Sequence, residues 1–380
     1  QIRKEVHRVY DRIYACIYGQ CIGDTLGLLT ESLTKEEAKK RYKEVHHSLE
    51  IAHKKLVPDV HRRKWSAGDW TDETDQMILI LQSILRHKGE VLYALFQVNP
   101  VDFAKHLMDW TENGFPELGD ECGYGASTQI KSVVSHHQFS EKPCKAAEIV
   151  WRDSSSKLAD NSAVARTSVI GVHHYNALGK VIKNAIDICV TTHADPRCQA
   201  SCVDLLIFHY RCQASCVDLL IFHYRCQASC VAVSTAVSLM LQRNLRHLKK
   251  NEHYDVEALV EECYTYASRL LPTYAEVKEL KYYMYPNSLK DLHLDEPGRS
   301  NFTYKALGAG FWALRQKNFR QSIQDIVLEG GDADANCAVA GALLGCKLGV
   351  ESIPRTWIEP LLHRFWLDNL MDRYDKAICS

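Results

Sequence analysis

Two short acidic clusters carry the clearest chemical potential in this chain: WTDETDQM at 70–77 and GGDADAN at 330–336. Each packs carboxylates into a few positions and then runs straight into an apolar helical pattern. Hard cations such as Mg²⁺ take oxygen ligands, and two clusters meeting from different directions would supply them. The candidates are Thr71, Asp72 and Glu73 in the first cluster, with Asp75 nearby, and Asp332 and Asp334 in the second. A plainer reading is that Thr71, Asp72 or an aspartate of the second cluster caps a helix N-terminus. Glycine or tryptophan before and an apolar helix after, at both ends of the chain, favours a shared cation site.

Four weaker signals lie between them. GQCIGDTLGLLTE at 19–31 places Asp24 after a glycine and ends on Glu31. That glutamate reads either as an exposed helix-end acid or as an acid on a mobile lip over the cation site. GYGAST at 123–128 is a Gly-x-Gly, Gly123 and Gly125, opening a helix and suited to close approach by a phosphate or nucleobase. LADNSAVARTS at 158–168 carries Asn161 and Arg166, and TTHADP at 191–196 is expected to leave His193 exposed before Pro196. A single histidine is more often structural than catalytic.

Helices are needed to bring these segments together. Apolar periodicity predicts them over 5–28, 74–86, 101–112, 144–152, 178–190, 255–270, 304–316 and 332–349. Alternating strand patterns are nearly absent, so the fold class is all-α. Gly19 and Gly23 share one helix face, as do Gly341, Gly345 and Gly349. Small residues at that spacing let helix backbones approach closely, which makes these helices central. No Pro/Gly/Ser-rich linker divides the chain, so a single compact multi-helix domain over 1–380 is expected.

The bulk composition excludes several classes of partner. With 46% hydrophobic residues, 24% charged residues and a formal net charge of -1, the chain has no electrostatic footprint for nucleic acid or a membrane surface. No apolar run approaches the ~20 residues that span a bilayer. The opening QIRKEVHRVYDRIYACIYG is charged and amphipathic, unlike a secretory leader. Fifteen cysteines are present, and those outside one repeated segment are scattered over helical patterns. Buried free thiols in a reducing, cytoplasmic compartment are the expectation. Oligomeric state is not legible.

The repeated segment is RCQASCVDLLIFHY at 197–210, which recurs identically at 211–224 and partially, as RCQASCV, at 225–231. Fourteen residues are close to four helical turns, so each copy nearly preserves helical phase. The expectation is one lengthened helix, longer by about 42 Å at 1.5 Å per residue.

Taken in order, Gly-Asp and Glu31, the TDET cluster, GYGA, Asn161 with Arg166, Thr-His and GGDAD resemble the ADP-ribosylglycohydrolase family of the dinitrogenase-reductase-activating type. The resemblance runs from about residue 12 to about residue 350. It implies an all-α domain with two Mg²⁺ ions in a cleft that hydrolyses the bond joining ADP-ribose to a protein side chain or small acceptor. Carried over by match, Thr71, Asp72, Glu73, Asp332 and Asp334 are the metal ligands. Glu31, Asp72 and Asp334 are the catalytic carboxylates, and which of them moves the proton stays open. Asp24, Gly123, Gly125, Asn161 and His193 contact substrate. Its partner is an ADP-ribosylated protein or small ADP-ribosyl conjugate.

The chain departs from the family pattern at three positions. Glu73 stands where the family usually has Asp, Ala335 where it has Thr, and Ser162 where it has Gly. Mg²⁺ demands near-octahedral geometry, so weakened binding of one ion and reduced turnover are expected. The alternative is a weak or inactive relative that binds ADP-ribose or serves structurally, as eye-lens crystallins that resemble the family do.

Overall fold

The computed structural model describes residues 2–42, 48–51, 59–86, 98–154, 160–193, 223–251 and 253–379. The first half of the chain forms α1 (Ile2–Gly27), α2 (Lys35–Tyr42), α3 (Asp72–Arg86), α4 (Pro100–Asn113), α5 (Thr128–Val134), α6 (Pro143–Asp153), α7 (Ser162–Ala165), α8 (Ser168–Val172) and α9 (Leu178–Val190). The second half forms α10 (His223–Gln242), α11 (Val256–Ser268), α12 (Tyr274–Met284), α13 (Thr303–Leu314), α14 (Phe319–Val327), α15 (Ala333–Leu348), α16 (Arg355–Ile358) and α17 (Arg364–Cys379). Among the described residues, β-structure is limited to two isolated bridges, Asp160 to Phe302 and Leu248 to Tyr254. The all-α expectation holds, and the predicted helices match the observed ones to within a few residues.

Glycine spacing builds the centre. α1 and α15 lie antiparallel and almost backbone to backbone. A Cβ added at Gly19 would sit 2.2 Å from the Gly341 carbonyl oxygen, one at Gly23 2.0 Å from that of Cys337, and one at Gly345 2.1 Å from that of Ala15. No side chain fits at such distances, so these positions admit glycine alone. Gly349 continues the ladder, and a Cβ there would lie 2.4 Å from Asp11 Oδ2 on α1. It ends α15 at φ +88, where a left-handed residue terminates the helix. α13 covers the next face of α15, with Gly310 against Val339.

The antiparallel pairing sets the site. The C-terminal end of α1 meets the N-terminal end of α15, so Asp24 and Glu31 lie with Asp332 and Asp334. At the opposite end of the pair, Arg12 donates to the carbonyls of Cys346 and Lys347.

The first copy of the repeat and all but the last two residues of the second fall within 194–222, outside the described residues, and so does the predicted lengthening of a helix; His223 and Tyr224 of the second copy start α10. The third, partial copy lies in α10 and packs into the domain. Arg225 Nε donates to Glu279 at 2.7 Å, the Cys226 thiol meets the Asp160 carbonyl at 3.7 Å, and Cys226 and Cys230 are fully buried. The ten cysteines from Cys16 to Cys346 whose side chains are described are free thiols. No helix among the described residues is long and apolar enough to cross a membrane.

Candidate functional site

Asp24 decides how the first acidic cluster is used. From α1 its Oδ2 accepts from the Thr71 and Thr74 backbone amides at 3.1 and 3.0 Å, and its Oδ1 from the Thr71 hydroxyl at 2.6 Å. Asp24 thus caps α3 from a neighbouring helix. The capping work expected of Thr71 or Asp72 is already done, and the side chains of Asp72 and Glu73 are left for other partners. Asp24, expected among the substrate contacts, turns its carboxylate to α3 instead.

The second cluster is not consumed by capping either. Asp332 occupies the N-cap position of α15 without a side-chain cap bond. Its Oδ2 accepts from Asn161 Nδ2 at 2.8 Å. Two residues on, Asp334 faces the Thr71 hydroxyl at 3.4 Å, joining the two clusters across the fold. Carboxylate oxygens of Glu31, Asp332 and Asp334 all lie within 4.8 Å of one another. Asp72 and Glu73 are buried beside them, and Glu73 Oε2 is buried without a hydrogen-bond partner.

The electrostatics of this group are those of anions short of a cation. Burial, then the charges of Asp24, Glu31 and Asp332, hold the Asp72 carboxyl well above its usual range. Burial with Asp72 and Asp332 does the same to Glu73, and burial with Glu31 and Asp332 to Asp334. Asp332 is pushed up to about 6, chiefly by burial and Glu31. The N-termini of α3 and α15 both point here and offset part of this cost. A divalent hard cation fits: it supplies the missing charge, and the orphaned Glu73 oxygen gains a partner. The donors are all oxygens, which suits Mg²⁺ better than a softer metal.

Glu31 is neither an exposed helix-end acid nor free on a lip. It sits in a turn held to the second cluster by Ser32, whose amide donates to Gly331 at 2.7 Å and whose φ is +62. Buried Arg62 donates to the Leu28 carbonyl at 2.8 Å and also to that of Glu31. One Glu31 oxygen meets His61 Nε2 at 2.5 Å, with the His61 side chain one-third exposed. Neither Arg62 nor His61 stood out in the sequence, because both come from a basic stretch, HRRK, that reads as solvated surface.

His193 requires a correction. It was expected to be exposed, and it is fully buried. Arg166 donates to the Thr192 hydroxyl at 2.7 Å, Thr192 meets His193 Nδ1 at 2.8 Å, and His193 Nε2 meets Asp160 at 3.0 Å. Burial pushes the imidazole down despite Asp160, so the ring is neutral, with its proton on Nε2. Burial works against the Asp160 anion, but the His193, Ser127 and Ser162 hydrogen bonds outweigh it and keep Asp160 ionised. Arg166 also donates to Gln76, whose amide donates to Asp72 at 2.9 Å. One buried guanidinium therefore orients two carboxylates on different sides of the cleft. Asp160 lay in a quoted motif, and nothing in its spacing set it apart from Asn161.

The Gly-x-Gly is a steric requirement. A Cβ at Gly123 would lie 2.6 Å from the Trp110 carbonyl, and one at Gly125 would lie 2.3 Å from Asp72 Oδ1. Gly125 also has φ +96, a conformation that costs an L-residue about 1–3 kcal/mol. Gly125→Ala should therefore lower the thermal midpoint and weaken Mg²⁺ binding together, read by calorimetry with and without metal. A stable variant with unchanged metal affinity would show that Gly125 does not shape the Asp72 position.

Ser162 fits where a glycine was expected. It is buried, and its amide donates to Asp160 at 3.1 Å. Ala335 is buried in the first turn of α15.

Comparisons with known proteins agree with this geometry. A family model described as ADP-ribosylglycohydrolase matches residues 5–210 and 206–379, two stretches that meet inside the duplicated segment. The chain is 24% identical over 307 residues to an uncharacterised protein of Archaeoglobus fulgidus, covering 80% of this chain and 79% of that one. It is 19% identical over 308 residues to an ADP-ribosylarginine hydrolase of Serratia proteamaculans, covering 80% and 67%. A solved structure titled an ADP-ribosylglycohydrolase-related protein complex superposes with a TM-score of 0.62 at 18% identity, covering 98% of this chain and 99% of that one.

Proposed function

The chain belongs to the ADP-ribosylglycohydrolase family, and from that premise we propose that it is a Mg²⁺-dependent hydrolase of the bond joining ADP-ribose to an arginine side chain. The observation that carries the reading is the convergence of Glu31, Asp332 and Asp334 beside buried Asp72 and Glu73. Thr71, Asp72, Glu73, Asp332 and Asp334 would hold the metal. Bound there, Mg²⁺ supplies Lewis acidity toward ribose hydroxyls and lowers the pKa of a water.

The protein's own groups do the rest. Glu31, with His61 on one oxygen, is the carboxylate placed to take the proton of the attacking water. The N–C1″ bond of the substrate breaks, hydroxide adds to C1″, and the proton taken up by Glu31 passes to the leaving nitrogen, which returns the carboxylate to its starting state. Asn161 fixes Asp332, and the Arg166 relay fixes Asp72 and Asp160. Gly123 and Gly125 keep Cβ atoms out of the cleft wall, where the adenosine pyrophosphate would approach. The arginine acceptor is supported by the Serratia relative's name. It is also supported by a cavity of about 260 Å³ in which the carboxylates of Asp69, Asp75 and Asp120 and the rings of Trp65 and Tyr124 outnumber one cation, Lys64, a lining suited to a guanidinium.

The test is release of free ADP-ribose from arginine-linked and serine-linked ADP-ribosyl peptides, with Mg²⁺ and with a chelator. Metal-dependent release from the arginine peptide is expected. Release from the serine peptide alone would move the acceptor assignment. No release from either, by a folded protein, would favour a binding or structural role, the reading that Glu73 and Ala335 support as departures from the family ligand pattern.

A further inference from the structure

The far end of the α1–α15 pair carries the opposite charge. A cavity of about 980 Å³ opens there, lined by Arg8, Arg12, Arg243, Lys249, Lys317 and Lys347 together with Arg315. In a chain of net charge -1, seven cations around one concavity are an accumulation. Three carboxylates share the lining, and all are committed. Asp11 accepts from the Val350 amide at 3.2 Å, Asp255 caps α11, and Glu257 forms a two-pronged pair with Arg315 at 2.8 and 3.0 Å.

Several of the cations have a structural task. α10, α13 and α15 end around this cavity, and their last carbonyls are negative. Arg12 donates to Cys346 and Lys347, Lys347 Nζ to Leu314 at 2.7 Å and to Gln316, and Arg315 to Phe311 at 2.8 Å. Helix ends do not account for Lys249 and Lys317. Among the described residues, neither Lys249 nor Lys317 forms an ion pair, and both are exposed at the cavity. Burial and the nearby Lys317 push the Lys347 ammonium down to about 8, a repulsion that an anion would relieve.

We infer that this cavity is an anion site for a small molecule carrying two or more linked phosphates. Its volume is that of a nucleotide-sized ligand, and its cations surround a concavity instead of lying along an extended face, which argues against a nucleic-acid strand. From Arg12 to Asp24 along α1 is about 18 Å at 1.5 Å per residue, so this site is separate from the carboxylate cluster.

The test uses the full chain, tripolyphosphate as probe, and a chelator to remove divalent metal. Isothermal titration at low ionic strength should show binding that weakens steeply with salt. Lys249→Glu with Lys317→Glu should weaken it at least tenfold while leaving ADP-ribose release unchanged. Asp334→Asn should leave it intact, which separates this site from the catalytic cleft even if the proposed hydrolysis fails. Parallel titrations with pyrophosphate and ADP distinguish a phosphate-only site from one that also reads a base. No binding of any probe, or binding undiminished in the double variant, overturns the proposal.

Discussion

Asp334→Asn should reduce hydrolysis by at least about 10³-fold and, in metal-free buffer at neutral pH, should make the protein more stable. The loss follows from its position: Asp334 links the clusters through Thr71 and shares the oxygen group with Glu31 and Asp332. Losing one charged ligand to a neutral amide removes several kcal/mol of metal-based stabilisation, and each 1.36 kcal/mol is tenfold in rate. The gain follows from the electrostatics. Without a cation, Asp334 is a buried carboxyl whose ionisation is disfavoured, held well above its usual range by burial and by Glu31 and Asp332, and an amide there carries no such cost.

The same argument fixes the pH dependence. Asp24 and Asp332 sit at about 6 in the folded protein, against an ordinary 3.8. Between those values the folded chain holds more protons than the unfolded one, so stability falls as pH rises. The contribution is full below about 4 and gone above about 6. Metal-free protein should therefore melt at a higher temperature at pH 5 than at pH 7.5, and saturating Mg²⁺ should flatten or reverse the slope. Scanning calorimetry across that range, on wild type and Asp334→Asn, measures both effects. A metal-free midpoint that rises toward pH 7.5, or an asparagine variant keeping a tenth of the activity, would remove the carboxylate group from its assigned role.

Much of this site is legible in the sequence because its residues start helices. Acidic clusters before apolar helical runs gave the ends of α3 and α15, and glycine spacing gave the contact between α1 and α15. What periodicity misses is long-range pairing. Asp24 looked like a cleft residue because its motif lies there; only the fold shows it capping α3, a task sequence reasoning gives to the adjacent Thr71 or Asp72. His193 looked exposed because a proline follows soon after; only the fold shows Arg166 and Thr192 reaching it from behind. Gly349 kept the four-residue spacing of the ladder, but spacing does not report φ, and that glycine ends the helix. Arg62 and His61 hold Glu31 from a single 3-10 turn, too short to carry a period.

Removing residues 197–224 should leave a folded, active domain. The two full copies are identical and the third repeats their first seven residues, so any 28-residue removal within 197–231 yields one sequence, in which Pro196 precedes RCQASCV and then Ala232. Of the described fold the deletion takes only His223 and Tyr224, in the first turn of α10, and the retained copy keeps Arg225 paired with Glu279 and Cys230 buried. The join is short enough. His193 and Cys226 both contact Asp160, through its carboxylate and its carbonyl, so the two ends of the deletion already meet on one residue. In the shortened chain five peptide steps connect them, a reach of about 17 Å, comparable to the span that two side chains touching one aspartate bridge. The expected result is a thermal midpoint within a few degrees of the full chain and ADP-ribose release within about threefold. Cys230→Asp in the shortened chain should then unfold it, because a buried unpaired carboxylate replaces a packed thiol with no spare copy to substitute. Loss of folding on deletion alone would mean that the upstream copies hold the domain together, and the single-copy contacts around Asp160 would not be sufficient.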